Sequence, residues 1–105
     1  MKYIITESQL NKIIFKYINL KRFIQIEKGD NIYFVNSEDD ESAQIRYDKD
    51  NGWCFISINL IKEISSFFSL GRYDSEKVIE RWVENKLQMK VTNIPPGIAD
   101  SVMMG

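Results

Sequence analysis

DKDNGW, Asp48 to Trp53, lies between Arg46-Tyr47 and the apolar run Cys54-Phe-Ile-Ser-Ile58. Two acids two residues apart beside Asn-Gly suggest part of a calcium loop. Asn-Gly between alternating apolar residues suggests a hairpin turn. A calcium loop needs oxygen ligands at positions 1, 3 and 5, Gly at 6 and a bidentate Glu at 12. Counted from Asp48, the fifth position is Gly52 and the twelfth is Asn59, so the loop is a residue short and lacks its bidentate acid. The hairpin reading predicts a two-residue type I′ loop at Asn51-Gly52. That places Asp50 opposite Trp53, Asp48 opposite Phe55, Tyr47 opposite Ile56 and Ile45 opposite Ile58. One face of the pair then carries Ile45, Tyr47, Cys54, Ile56 and Ile58. The other carries Arg46, Asp48, Asp50, Trp53, Phe55 and Ser57.

Working outward, Ala43–Asp48 and Trp53–Ile58 read as the last two of four strands. Phe23–Glu27 alternates and is rich in β-formers; Lys28-Gly29-Asp30 turns the chain; Asn31–Asn36 (NIYFVN) is the second strand. The polar, acidic SEDDES, Ser37–Ser42, joins it to the third. Short turns between consecutive strands predict an antiparallel meander. Ile32 and Phe34 fall on the core face. Tyr33 and Val35 fall beside Trp53 and Phe55, giving a mixed aromatic face that is either covered by a helix or used for binding.

Before the sheet, Thr6-Glu-Ser-Gln9 fits a capping box, and Leu10, Ile13, Ile14, Tyr17 and Ile18 follow at helical spacing to about Arg22. Met1–Ile5 reads as the start of a short strand. Phe15 and Leu20 lie off the main stripe, so this helix is apolar on more than one side. After the sheet, Asn59 is the expected cap of a helix over residues 60–70, with Leu60, Ile61, Ile64, Phe67 and Phe68 buried and Gly71 as its stop. Asp74 or Ser75 caps a third helix with the stripe Val78, Ile79, Trp82, Val83 and Leu87. Met89–Ile94 is a candidate short final strand, and Pro95-Pro96-Gly97 ends regular structure. The expected organisation is one α+β domain over residues 1–97 and a tail over 98–105, whose Ile98, Val102, Met103 and Met104 suit packing on another chain.

Composition narrows the function. The chain has 105 residues, 44% of them hydrophobic, which suffices for one core without metal or disulfide. Apolar runs are too short to cross a bilayer, and Met-Lys-Tyr-Ile-Ile passes directly into polar residues, so no signal peptide or membrane span is expected. One cysteine and no histidine fit a cytoplasmic setting and exclude Ser-His-Asp, Cys-His and ordinary zinc chemistry. Cys54, on the core face, reads as an inert thiol. The isolated glycines form no phosphate-cradling loop, and no cofactor is expected. Net charge is −1, yet residues 1–28 carry six Lys/Arg against two Glu, and residues 37–50 carry six Asp/Glu against two Lys/Arg. Such asymmetry steers a partner or pairs two copies.

Three function classes follow. The first is a non-enzymatic protein-binding or assembly module, self-associating, with Tyr33, Val35, Trp53, Phe55, Met103 and Met104 as contacts. The second is a nucleic-acid binder using Lys12, Lys16, Lys21 and Arg22, with Lys28 nearby, although a pI near 5.4 is low for that role. The third is a magnesium nuclease. The order helix, three strands, helix, strand resembles the PD-(D/E)xK nuclease core in topology, but Asp40 is followed by Gln44-Ile45-Arg46, with Arg where that family needs Lys, and the Pro-Asp pair is absent. The opening MKYIITESQL and the later VIERWVENKLQMKV resemble small uncharacterised proteins of bacteriophages and marine metagenomes. The resemblance covers about a quarter of the chain and implies no activity; such phage proteins are often virion parts or host-directed binders, including inhibitors of host defence.

Overall fold

The computed structural model describes residues 6–95 together with Val102 and Met103. It is an α+β fold with a four-stranded antiparallel sheet. Helix α1 (Glu7–Leu20) precedes strands β1 (Ile24–Lys28), β2 (Asn31–Val35), β3 (Ser42–Ala43), β4 (Ile45–Asp48) and β5 (Trp53–Ile56). Helices α2 (Ile58–Phe68) and α3 (Arg72–Leu87) follow, then the short β6 (Val102–Met103). The main sheet has the order β1-β2-β4-β5, a meander interrupted only by the small β3 excursion. β3 pairs with β6, Ser42 with Met103 and Ala43 with Val102. The expected Met1–Ile5 strand lies outside the described residues.

The capping box forms as read: Gln9 N–H donates to Thr6 Oγ1 at 3.2 Å and Thr6 N–H donates to Gln9 Oε1 at 3.1 Å. This satisfies two backbone donors that an uncapped helix start leaves open. The other two helix starts differ from expectation. α2 is capped by Ser57, not Asn59: Ser57 Oγ accepts from Leu60 N–H at 3.1 Å and donates to Gln44 Oε1 at 2.8 Å. Ser57 N–H also donates to Gln44 O at 2.9 Å, so the sheet fixes where the helix begins. Gly71 does not stop α2. Ser69 does, in the left-handed region at φ 54°, and Gly71 becomes the N-cap of α3.

The hairpin also differs. The observed pairs are Asp48–Trp53, Tyr47–Cys54, Arg46–Phe55 and Ile45–Ile56, so the loop has four residues, Lys49–Gly52, and the register is shifted by two. A type I′ turn needs positive φ at both central residues. Here Gly52 is at φ 77° and Asn51 is not in that region. Asp48 O accepts from Gly52 N–H at 2.8 Å, Asp48 Oδ1 from Asp50 N–H at 2.9 Å, and Asn51 Oδ1 from Trp53 N–H at 2.9 Å. A shift of two leaves every side chain on its own face because the strand period is two. Ile45, Tyr47, Cys54 and Ile56 are accordingly buried as expected, while Ile58 belongs to α2.

All three helices pack on that face. Ile14 and Ile18 of α1, Leu60, Ile61 and Ile64 of α2, and Val78, Ile79, Trp82 and Val83 of α3 share one core with Ile32, Phe34 and the β4–β5 residues. Trp82 stands edge-on to Phe34 at 5.1 Å, and its Nε1–H donates to Asn19 Oδ1 at 2.9 Å. Met89–Ile94 does not form the expected strand. It makes one parallel bridge, Asn93 with Trp53, and Cys54 N–H donates to Asn93 O at 2.9 Å. The same segment clamps the hairpin tip: Thr92 N–H donates to Gly52 O at 2.8 Å and Thr92 Oγ1 to Asn51 O at 2.6 Å.

Candidate functional site

The face opposite the helices carries the residues expected to bind a partner, and the structure divides them. Tyr33 and Val35 are 1% and 0% exposed and cluster with Ala43, packed by Ile24 and Ile26. They are interior residues, not surface contacts, because neighbouring β1 and the turn through β3 close around them. Trp53, at the far edge strand, is 40% exposed. Phe55 is half-buried with its ring 6.3 Å from that of Trp53. Arg46, in register with both Phe55 and Tyr33, lays its guanidinium 4.2 Å from the Phe55 ring centroid. Its Nε is buried without a hydrogen-bond partner among the described residues. Met103 is used in the β3–β6 pairing through its backbone, and Met104 lies outside the described residues.

A second surface was only half visible in the sequence. Ile13, Tyr17 and Leu20 follow one another at spacings of four and three along α1, so they form one ridge. Ile13 is 47% and Leu20 73% exposed. Phe67 of α2, 65% exposed, joins the ridge with its ring 4.8 Å from that of Tyr17. Phe68 supports Tyr17 from below, edge-on at 5.4 Å. Phe67, expected on the buried side of α2, and Ile13, on the apolar stripe of α1, are both exposed beside the contact that Tyr17 makes with α2. The apolar Leu20 off the main stripe was the available signal.

Glu63 braces the ridge. It accepts from the Tyr17 hydroxyl and forms an ion pair with Lys21. Burial alone would raise the Glu63 pKa, but hydrogen bonds from Lys21 and Tyr17 and the Lys21 charge outweigh it and hold the carboxyl below its usual range. The hydrogen bond to Glu63, then burial, then the Glu63 charge push the Tyr17 phenol up to about 12.

The basic set does not form one patch. Lys12 and Lys16 lie one turn apart on exposed α1. Lys21 is nine residues, about two and a half turns, from Lys12 and so faces the opposite way, committed to Glu63. Arg22 follows the helix end at φ 53°. The nuclease-like trio is also dispersed. Asp40 accepts from the N–H groups of Asn36 and Ser37 at 3.1 and 3.0 Å, Gln44 holds Ser57, and Arg46 stacks on Phe55. Among the described residues no group of three or more acids or cysteines is placed to hold a metal ion. None of their helices is long and apolar enough to cross a membrane. Burial, with smaller contributions from Glu80 and Glu84, pushes the Cys54 thiol up to about 12, so it has little thiolate character near neutral pH. No family model, curated protein or solved structure matches the chain.

Proposed function

We propose that this chain is a non-enzymatic protein-binding or assembly module that self-associates. The observation carrying this reading is the ridge Ile13–Tyr17–Leu20–Phe67, with three large apolar side chains 47–73% exposed around a braced tyrosine. Fully burying such a side chain contributes roughly 1.5–3 kcal/mol, and about half to three-quarters of that is ungained while the ridge faces water. A helix-pair ridge of this kind suits packing against the same ridge of a second copy, since a two-fold contact needs only a self-complementary surface. A cytoplasmic setting suits the single buried thiol. The resemblance of MKYIITESQL to small phage proteins supports an accessory, virion or host-directed role.

Light scattering coupled to size exclusion tests the reading. Wild type is expected to exceed its monomer mass of 12.4 kDa, with the mass rising with concentration. Leu20→Lys is expected to lower the mass while leaving the chain folded, because the position is exposed; Phe67→Lys is expected to lower the mass as well and to cost about 0.5–1.5 kcal/mol through its ring contacts with Tyr17 and Phe68. A wild-type chain that stays monomeric at hundreds of micromolar refutes it.

A further inference from the structure

We propose that Arg46 forms a second contact, receiving a carboxylate from the acidic loop of another copy. Arg46 sits on the sheet face that bears no described helix, between the positions of Tyr33 and Phe55. Its guanidinium stacks on Phe55 at 4.2 Å, and Trp53 lies exposed beside that ring. The buried Nε finds no acceptor, and no ion pair neutralises the group among the described residues. A half-buried, uncompensated cation is costly, and stacking orients its planar fork without neutralising it. Its terminal nitrogens are where a counter-ion reaches it, and a carboxylate matches their geometry.

The chain itself carries the complementary group. Glu38, Asp39 and Glu41 are exposed and enter no ion pair among the described residues, whereas the Asp40 carboxylate is occupied by backbone N–H groups. The loop leaves β2 directly after Val35, and Arg46 pairs with Tyr33, two residues before that end of the strand. Under a two-fold axis each loop meets the other copy's Arg46, and both charges are matched at once. A single-stranded nucleic acid stacking on Trp53 is disfavoured, because Asp48 lies opposite Trp53 in the hairpin and repels a phosphate chain.

This contact rests on self-association but uses a different surface from the helical ridge. Sedimentation of four samples tests it: wild type, Arg46→Glu, the loop variant Glu38→Lys/Asp39→Lys/Glu41→Lys, and an equimolar mixture of the two variants. Each variant alone sets like charges against each other and is expected to associate at least tenfold more weakly than wild type. The mixture restores opposite charges at both contacts and is expected to recover association. Arg46→Gln, which keeps the stem packing, is expected to weaken association by about tenfold. Circular dichroism confirms folding in each case. Association of Arg46→Glu equal to wild type, failure of the mixture to recover, or Arg46-dependent retention of a short oligothymidylate in place of self-association overturns the contact. A wild type that associates through Leu20 while ignoring Arg46 sinks this contact alone; a wild type that never associates sinks the ridge as well.

Discussion

Replacing Gly52 by Ala tests whether the hairpin tip is fixed by the turn alone or by the chain docked over it. Two terms contribute. At φ 77° an L side chain carries left-handed strain of about 1–2 kcal/mol. An added Cβ also lies 2.9 Å from Thr92 Cγ2, 3.0 Å from Thr92 Oγ1 and 3.2 Å from Lys90 O. The threonine can rotate, but its hydroxyl then gives up Asn51 O, and the Lys90 carbonyl is held by the Tyr47 hydroxyl at 2.8 Å. Overpacking of this kind costs about 1–3 kcal/mol. The total is roughly 2–5 kcal/mol, a large share of the stability of a domain this size. Gly29 is the internal control. It has a similar φ, 58°, and no atom of the described residues within 4 Å of an added Cβ, so Gly29→Ala carries the strain alone, about 1–2 kcal/mol. Urea unfolding followed by tryptophan emission gives both values, and Tm is expected to fall further for Gly52→Ala by about 4–8 °C per additional kcal/mol. Thr92→Ser in the Gly52→Ala background removes the nearest methyl, keeps the hydroxyl and is expected to recover part of the loss. Equal losses at Gly29 and Gly52, with no recovery from Thr92→Ser, refute the clamp.

Three further outcomes follow from local chemistry. Ser69 ends α2 in a left-handed conformation that glycine adopts freely, so Ser69→Gly is expected to raise stability by about 0.5–1 kcal/mol in urea unfolding. The Tyr17 pKa is raised, so its contribution to stability is fully present below the ordinary tyrosine value near 10 and is lost as pH climbs from 10 through about 12. Burial first, and then nearby negative charge, also raises the Tyr47 phenol, so ultraviolet titration should show late phenols from both residues, with the Tyr17 contribution lost in Tyr17→Phe; an unchanged late amplitude in that variant counts against the Glu63 brace. The Cys54 thiol is buried and held in its neutral form, so a thiol reagent at pH 8 should label it only at the rate of opening and at once in denaturant; prompt labelling of native protein contradicts its burial.

The elements that the sequence showed well are those whose determinants are local. Thr6 and Gln9 are three residues apart and close their own capping box, and the 3.6-residue spacing of Val78, Ile79, Trp82 and Val83 marks one face whatever it packs on. The errors have distant causes. Asn51-Gly52 is compatible with both a two-residue and a four-residue loop, and the contact that accompanies the longer one comes from Thr92, some forty residues on. Asn59 is as good a cap as Ser57 until Gln44 takes hold of Ser57. Alternation places Tyr33 and Val35 on the face of Trp53 and leaves open whether that face is covered. Their burial depends on β1 and on the turn through β3, which the alternation of β2 does not reveal. The alternation of β4 places Arg46 on its face, but nothing in the sequence shows that its Nε has no hydrogen-bond partner among the described residues.

The width of the apolar arc on α1 bears on which surface is available for contact. At about 100° per residue, the arc from Ile18 through Ile14, Tyr17 and Ile13 to Leu20 spans about 160°. A helix lying on one face of a sheet needs an apolar stripe of only about 100°. Ile18 and Ile14, at one side of the arc, are fully buried. Tyr17, at its middle, is half-buried and tied to α2 through Glu63 and Phe67. The excess falls on Ile13 and Leu20, and these are the two residues of the arc that remain most exposed. Phe67 repeats the pattern on α2: the buried side of that helix is Leu60, Ile61 and Ile64, and Phe67 extends the apolar surface beyond them toward α1. Two helices thus widen their apolar faces toward each other, at the seam where a third helical surface would pack. Lysine at Leu20 or Phe67 removes nothing from the core, so the fold alone does not require apolar residues there. A contact with a second ridge would, and this is the physical ground for the proposed interface.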